Sequence, residues 1–249
     1  MLKRIKELLK LNEATLEQVL SVTDRDRLIK TCIANLEVSG ESLSHFYMYI
    51  DSDTAEEIAD ELGDSEDVHS LDDLLNKYSD DEVVNTNAFK QFVYTNTEAK
   101  LDSVVDELED TLDWRRDHSF VNLYRAIGFS SSGKFNRLTG EHGATNLSSW
   151  LEHLYVKGKH VGIFWADSFD KAKEFGNLNV SGDFYILKTN VENRYIDWYE
   201  TIKLRMDLTL GEENEIRLFK GTPLTIETIY DETGDEIDIS ILEGKKLYA

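Results

Sequence analysis

The chain has 249 residues and a formal charge of −22, with 41% hydrophobic and 10% aromatic side chains, a composition that specifies a folded protein rather than a disordered one. A field this negative repels a phosphate backbone and excludes nucleic-acid binding through phosphate neutralisation. The single cysteine, Cys32, excludes an internal disulfide framework, no Cys/His cluster has zinc spacing, and no apolar run is long enough to span a membrane.

The charge is unevenly placed. Residues 1–50 hold seven acidic and seven basic side chains, residues 51–117 hold twenty-two and five, and residues 118–249 hold twenty and fifteen. The acidic middle serves solubility, attracts a basic partner or imitates a nucleic acid. No signal-peptide pattern opens the chain, so a cytosolic location and no membrane association are expected.

In chain order, Met1 to Leu11 shows Leu2, Ile5, Leu8 and Leu9 at helical spacing among Lys3, Arg4, Lys6 and Lys10. Further helices are predicted over 12–22, with Thr15 and Gln18 as a capping box, over 24–38, where Cys32 falls on the apolar stripe, and over 42–50. Residues 52–62 open with Ser52-Asp53-Thr54 as candidate caps and carry Glu56 and Glu57 in the first turn, where the helix dipole favours acids. Helices over 70–78, 80–93 and 97–114 follow, the last with Leu101, Val104, Val105, Leu108 and Leu112 on one face. With no proline before Pro223, residues 1–117 read as one acidic helical region.

The pattern changes near His118. Strands are predicted over 120–129, ending near Arg125, over 161–166 and over 184–187. Helices are predicted over 147–156 and 168–175, the latter capped by Asp167. Residues 130–146 and 176–182 read as loops, and 195–204 as helix or strand. Glu213 and Glu215, two residues apart at the mouth of a strand, share one face. Ile216 to Phe219, a turn over 220–223, a further apolar strand and an alternating stretch over 236–242 complete the chain.

The string Glu213-Asn214-Glu215, three apolar-leaning positions and Gly221-Thr222 resembles the Glu-x-Glu motif of the mono-ADP-ribosyltransferases. Two more segments extend the likeness to about residues 118–230. Leu123-Tyr124-Arg125-Ala126 is similar to the aromatic-Arg-Gly/Ala strand of the arginine-type enzymes. Phe164-Trp165-Ala166-Asp167-Ser168, with Ala172 and Phe175 following, is similar to their Ser-Thr-Ser strand and helix. The resemblance implies an α+β protein in which a split β-sandwich transferase domain over 118–249 follows the acidic helical region. It implies NAD as substrate and arginine on a protein as acceptor, as in phage and bacterial effectors that modify host proteins.

Residue by residue, the resemblance implies that Glu215 hydrogen-bonds the ribose 2-hydroxyl and stabilises a cation-like ribose. Glu213 orients or deprotonates the acceptor, and Arg125 binds phosphates or braces the NAD site. The Ala126 backbone lies against nicotinamide, Ser168 supplies the hydroxyl of the second motif, and Phe175 or Tyr185 stacks on a ring, either being equally readable as core. Taken singly, Arg125 reads as a strand-end surface residue, Ser168 as a helix cap and Trp165 as core. The chain departs from the pattern where Phe164, Trp165 and Ala166 occupy the hydroxyl positions, and no Gly-x-Gly-x-x-Gly is present to hold NAD in a Rossmann manner. An NAD glycohydrolase and a non-catalytic acidic protein that binds a basic partner are the competing expectations.

Overall fold

The computed structural model describes residues 16–38, 43–63, 68–116, 118–128, 146–150, 160–180, 183–206, 215–242 and 246–249. It is mixed α+β, with helices and an antiparallel sheet of seven strands. Among the described residues no helix is long and apolar enough to cross a membrane.

Two compact units form: Ser21–Val104, and Met1–Leu20 together with Val105–Ala249. The first is all helical, with α2 (Val22–Val38), α3 (Ser52–Glu61), α4 (Leu71–Lys77), α5 (Asp80–Asn85) and most of α6 (Asn87–Thr111). Ala55, Ile58, Val68, Leu74, Val83, Phe89 and Val93 form its core. Its helix starts are set by short polar side chains that accept the first amide donors. Asp51 accepts from Thr54 N–H at 2.9 Å, so α3 is capped one residue before the predicted Ser52-Asp53-Thr54. Ser70 caps α4, and Ser79 with Glu82 forms a capping box on α5.

The helix predicted over 80–93 is two helices. Thr86 is extended, with φ −65° and ψ 152°, and its hydroxyl donates to Val83 C=O at 2.8 Å, which ends α5. The start of α6 is capped twice: Thr86 Oγ1 accepts from Phe89 N–H at 3.2 Å, and the Glu61 carboxylate accepts from Asn87 N–H and Ala88 N–H, each at 2.8 Å, and from Asn87 Nδ2 at 2.7 Å. The helix then runs without the predicted interruption to Thr111. The predicted helix over 42–50 is a 3-10 turn at Leu43–Tyr49.

The second unit holds α1 (Leu16–Val19), the end of α6 and the strands. The sheet runs β5 (Glu215–Arg217), β3 (Phe164–Ala166), β2 (Phe120–Gly128), β4 (Phe184–Glu192), β7 (Ile226–Asp231), β8 (Glu236–Ile237), and β1 (Asp113–Arg115) also pairs with β2. β6 (Pro223–Leu224) and β9 (Leu247–Tyr248) form a separate two-stranded sheet. β2 and β4 share nine residue pairs, from Phe120 with Glu192 to Gly128 with Phe184. Alternation along β2 buries Val121, Leu123 and Ile127 on one face. On the other, α7 (Phe169–Asn179) packs Ala172 against Tyr124, Ala126, Phe184 and Ile186.

Three boundaries differ from the sequence expectation. Gly176, expected to open a loop, lies inside α7, at a place where a Cβ would come within 2.5 Å of the Phe184 ring. The cap of α7 is Ser168 rather than Asp167. Of residues 195–204, readable as helix or strand, Tyr195 ends a 3-10 turn and 198–204 belong to α8 (Trp198–Met206). The predicted helix over 1–11 and the loop over 130–145 lie outside the described residues; of the helix predicted over 147–156, residues 147–150 are described and helical.

Candidate functional site

The three segments singled out in the sequence, more than 90 residues apart at their extremes, lie on three neighbouring strands: Arg125 on β2, Phe164-Trp165-Ala166 as β3, and Glu215 at the start of β5. The register fixes their relation. Tyr124 pairs with Ala166, and Ala166 pairs with Glu215. Directly opposed residues share a sheet face, so Glu215 belongs to the face of Tyr124 and Ala166. Arg125 is the next residue along β2, and its Cβ therefore starts on the opposite face, opposed to Leu187.

The long Arg125 side chain turns between the strands. Tyr124–Ala166 is the single pair of the β2–β3 ladder. Just beyond it, Arg125 Nη1 donates to the Phe164 carbonyl. The guanidinium lies against Gly162, where an added Cβ would meet Nη2 at 2.9 Å; with φ at +120°, that backbone position suits glycine alone. Trp165, only 1% exposed, donates its indole N–H to the Gly162 carbonyl at 2.9 Å and fixes the loop. Arg125 is half-buried as a residue, but its Nε is shut off from solvent. Burial pushes its pKa down to about 10, and the nearby charge of Glu215 acts in the opposite sense. The Arg125 guanidinium and the Glu215 carboxylate thus lie within electrostatic reach of each other.

The other predicted residues are placed as follows. Glu213 lies outside the described residues. Ala126 is 4% exposed, its side chain in the core beneath α7. Ser168 is the N-cap of α7, its hydroxyl accepting from Lys171 N–H at 3.4 Å. Phe175 stands on the outer side of α7, 43% exposed. The residue directly opposite Glu215 is Ala166, so the pairing supplies no hydroxyl to that carboxylate.

Sequence reasoning missed a charge cluster beside β3. Asp167, fully buried, accepts from Arg205 Nη2 at 2.7 Å and from Lys171 Nζ at 3.1 Å. Glu107 Oε1 lies 3.7 Å from Lys171 and 3.8 Å from Arg205. The Asp167/Lys171 spacing of four on a helix start was a legible signal, but nothing in the sequence joins residue 167 to residue 205. Among the described residues no group of three or more His, Cys, Asp or Glu side chains is arranged to hold a metal ion. Comparison with protein families, with curated proteins and with solved structures found no match.

Proposed function

We propose that the protein is an NAD-dependent mono-ADP-ribosyltransferase that modifies arginine on a protein, built on a domain of the split β-sandwich transferase type. One observation carries this reading. Segments of the three expected motifs, distant in sequence, occupy the adjacent strands β2, β3 and β5, with Arg125 within electrostatic reach of Glu215. In the reaction the bond between ribose C1 and the nicotinamide nitrogen breaks, and its electron pair leaves with nicotinamide. The cationic ribose is stabilised by Glu215 through the 2-hydroxyl. A guanidinium nitrogen of the acceptor then bonds to C1 and loses a proton, with Glu213 positioning it. Arg125 balances the phosphate charge of NAD.

A specific observation favours a second reading. Phe164, Trp165 and Ala166 stand where the second motif carries its hydroxyls, and Ser168 is engaged as a helix cap, a departure from the expected motif. That favours a non-catalytic acidic protein that captures a basic partner. The two readings separate in one experiment: nicotinamide release from NAD, with and without a cell lysate, for the native protein and Glu215→Gln. The transferase releases nicotinamide faster with lysate and leaves ADP-ribose on protein, and Glu215→Gln lowers the rate by about 100-fold or more. Release without labelled protein identifies a glycohydrolase. No release in any condition overturns the catalytic reading.

A further inference from the structure

We propose that the buried Asp167–Arg205 pair is the positioning device that sets β5, and with it Glu215, against β3. The inference rests on the reading of Glu215 as the catalytic carboxylate, but its structural half stands on geometry alone.

The β3–β5 ladder is three pairs long: Phe164 with Arg217, Trp165 with Ile216, Ala166 with Glu215. So short a ladder holds its register weakly unless something outside it fixes the strands. Helix α8 does this at both ends. At the Arg217 end, Thr201 Oγ1 accepts the Arg217 N–H at 3.0 Å, Glu200 Oε2 accepts from Arg217 Nη1 at 3.1 Å, and Asp197 N–H donates to the Arg217 carbonyl at 2.8 Å. At the Glu215 end, Arg205 in the last turn of α8 reaches Asp167, which directly follows Ala166, the partner of Glu215.

The lengths agree. Thr201 and Arg205 are four residues apart, about 6 Å along a helix, and Arg217 and Glu215 are two apart, about 7 Å along a strand. One helix face thus spans the ladder and grips it at each end. Asp167 also accepts from Lys171 in α7, so a single carboxylate ties the end of β3 to helices α7 and α8. Asp167 is fully buried and the Arg205 side chain is 3% exposed. An apolar pair in their place would pack without fixed direction, whereas the ion pair holds one geometry.

The test uses the full chain in four forms: native, Arg205→Lys, Arg205→Met, and the double variant Asp167→Asn/Arg205→Met. The double variant removes both charges together and leaves neither buried alone, so it keeps the fold where the single Met variant fails. Amide hydrogen exchange is read at Arg217 and Leu218 in and beside β5, with Ile186 and Leu187 in β4 as controls. The double variant is expected to exchange at least about tenfold faster at Arg217 and Leu218, with β4 unchanged. Its kcat for nicotinamide release is expected to fall by about 10- to 100-fold with KM for NAD unchanged. Arg205→Lys is expected to retain most of both. Faster exchange everywhere, or unaltered exchange at β5, overturns the proposal, as does a loss of kcat with β5 protection intact. If the native protein releases no nicotinamide, the transferase reading falls, and exchange at Arg217 and Leu218 still decides the role of the pair.

Discussion

At the scale of single residues, Arg125 shows most clearly how local rules and function diverge. Its position on a strand was plain from Phe120 to Phe129, yet its Cβ starts on a core face, opposed to Leu187. Burial lowers its pKa to about 10, below its value in an unfolded chain. The sign follows from proton binding. Below pH 10 both states are charged and the folded state bears the desolvation penalty in full. Between about pH 10 and 12.5 the unfolded state binds more protons, so the penalty is relieved as pH rises. Arg125→Met is therefore expected to be as stable as the native protein or more so at neutral pH; on the transferase proposal, nicotinamide release is lost as well. Urea unfolding of both forms at pH 7 and at about pH 11 checks this. The native form should gain stability relative to Arg125→Met at the higher pH, and an unchanged difference would refute it. Glu215 was legible because a spacing of two at a strand mouth is a local pattern. That Glu215 and Arg125 leave their strands on opposite faces depends on register across β3, which no local pattern encodes.

Among the elements, those that were legible have strong local periodicity or caps. Helix α2 matches its predicted span closely because Leu28, Ile29 and Cys32 keep the helical period, and Ser70 marks the start of α4. The misreadings have different causes, one a local side-chain bond that competes with the helix and others set by tertiary partners. Thr86 ends a helix because its hydroxyl finds Val83 C=O. Gly176, a breaker by composition, lies inside α7 where a Cβ would meet the Phe184 ring. The strands β5 and β7, near neighbours in sequence, do not pair with each other but with β3 and β4. Gly176→Ala tests the packing argument. Alanine favours a helix over glycine by about 1 kcal/mol, but the new Cβ overlaps a buried ring, which costs about 1–3 kcal/mol. A lower Tm is expected, and a raised one would show that the Phe184 ring moves aside freely.

Across the whole molecule, charge governs the response to solution conditions. Composition divided the chain near residue 117, whereas compactness divides it within α6, between Val104 and Val105. The acidic region was visible because charge is read directly; the compact units are a property of contacts, and one continuous helix runs from one into the other. With a charge of −22, self-repulsion weakens the folded state and salt screens it. Acid acts twice. As pH falls toward the pI of 4.6, repulsion eases. The cap carboxylates Asp51, Glu61, Asp73 and Glu82 have pKa values held below the ordinary range, chiefly by hydrogen bonds from side chains and backbone amides. Their contribution is present above the unfolded carboxylate range and disappears as pH falls through the lowered folded values. Circular dichroism melts should show Tm rising with added salt at neutral pH, rising toward the pI, then falling steeply below about pH 4. A Tm indifferent to salt would show that the charges are already compensated.

The carboxylate of Glu61 at the start of α6 has a consequence for the order of folding. Most helix starts in this chain are capped by a residue beside them, and such caps act while the helix nucleates. Here Thr86 beside the helix accepts from Phe89 N–H, and a second cap arrives from the last residue of α3, twenty-six positions upstream of Asn87. The first turn of the longest described helix is therefore completed only after the intervening chain has closed into a loop, at an entropic cost that local caps avoid. Thr86 can hold the Phe89 N–H while the helix nucleates, whereas the Asn87 and Ala88 donors meet their carboxylate only once α3 has docked.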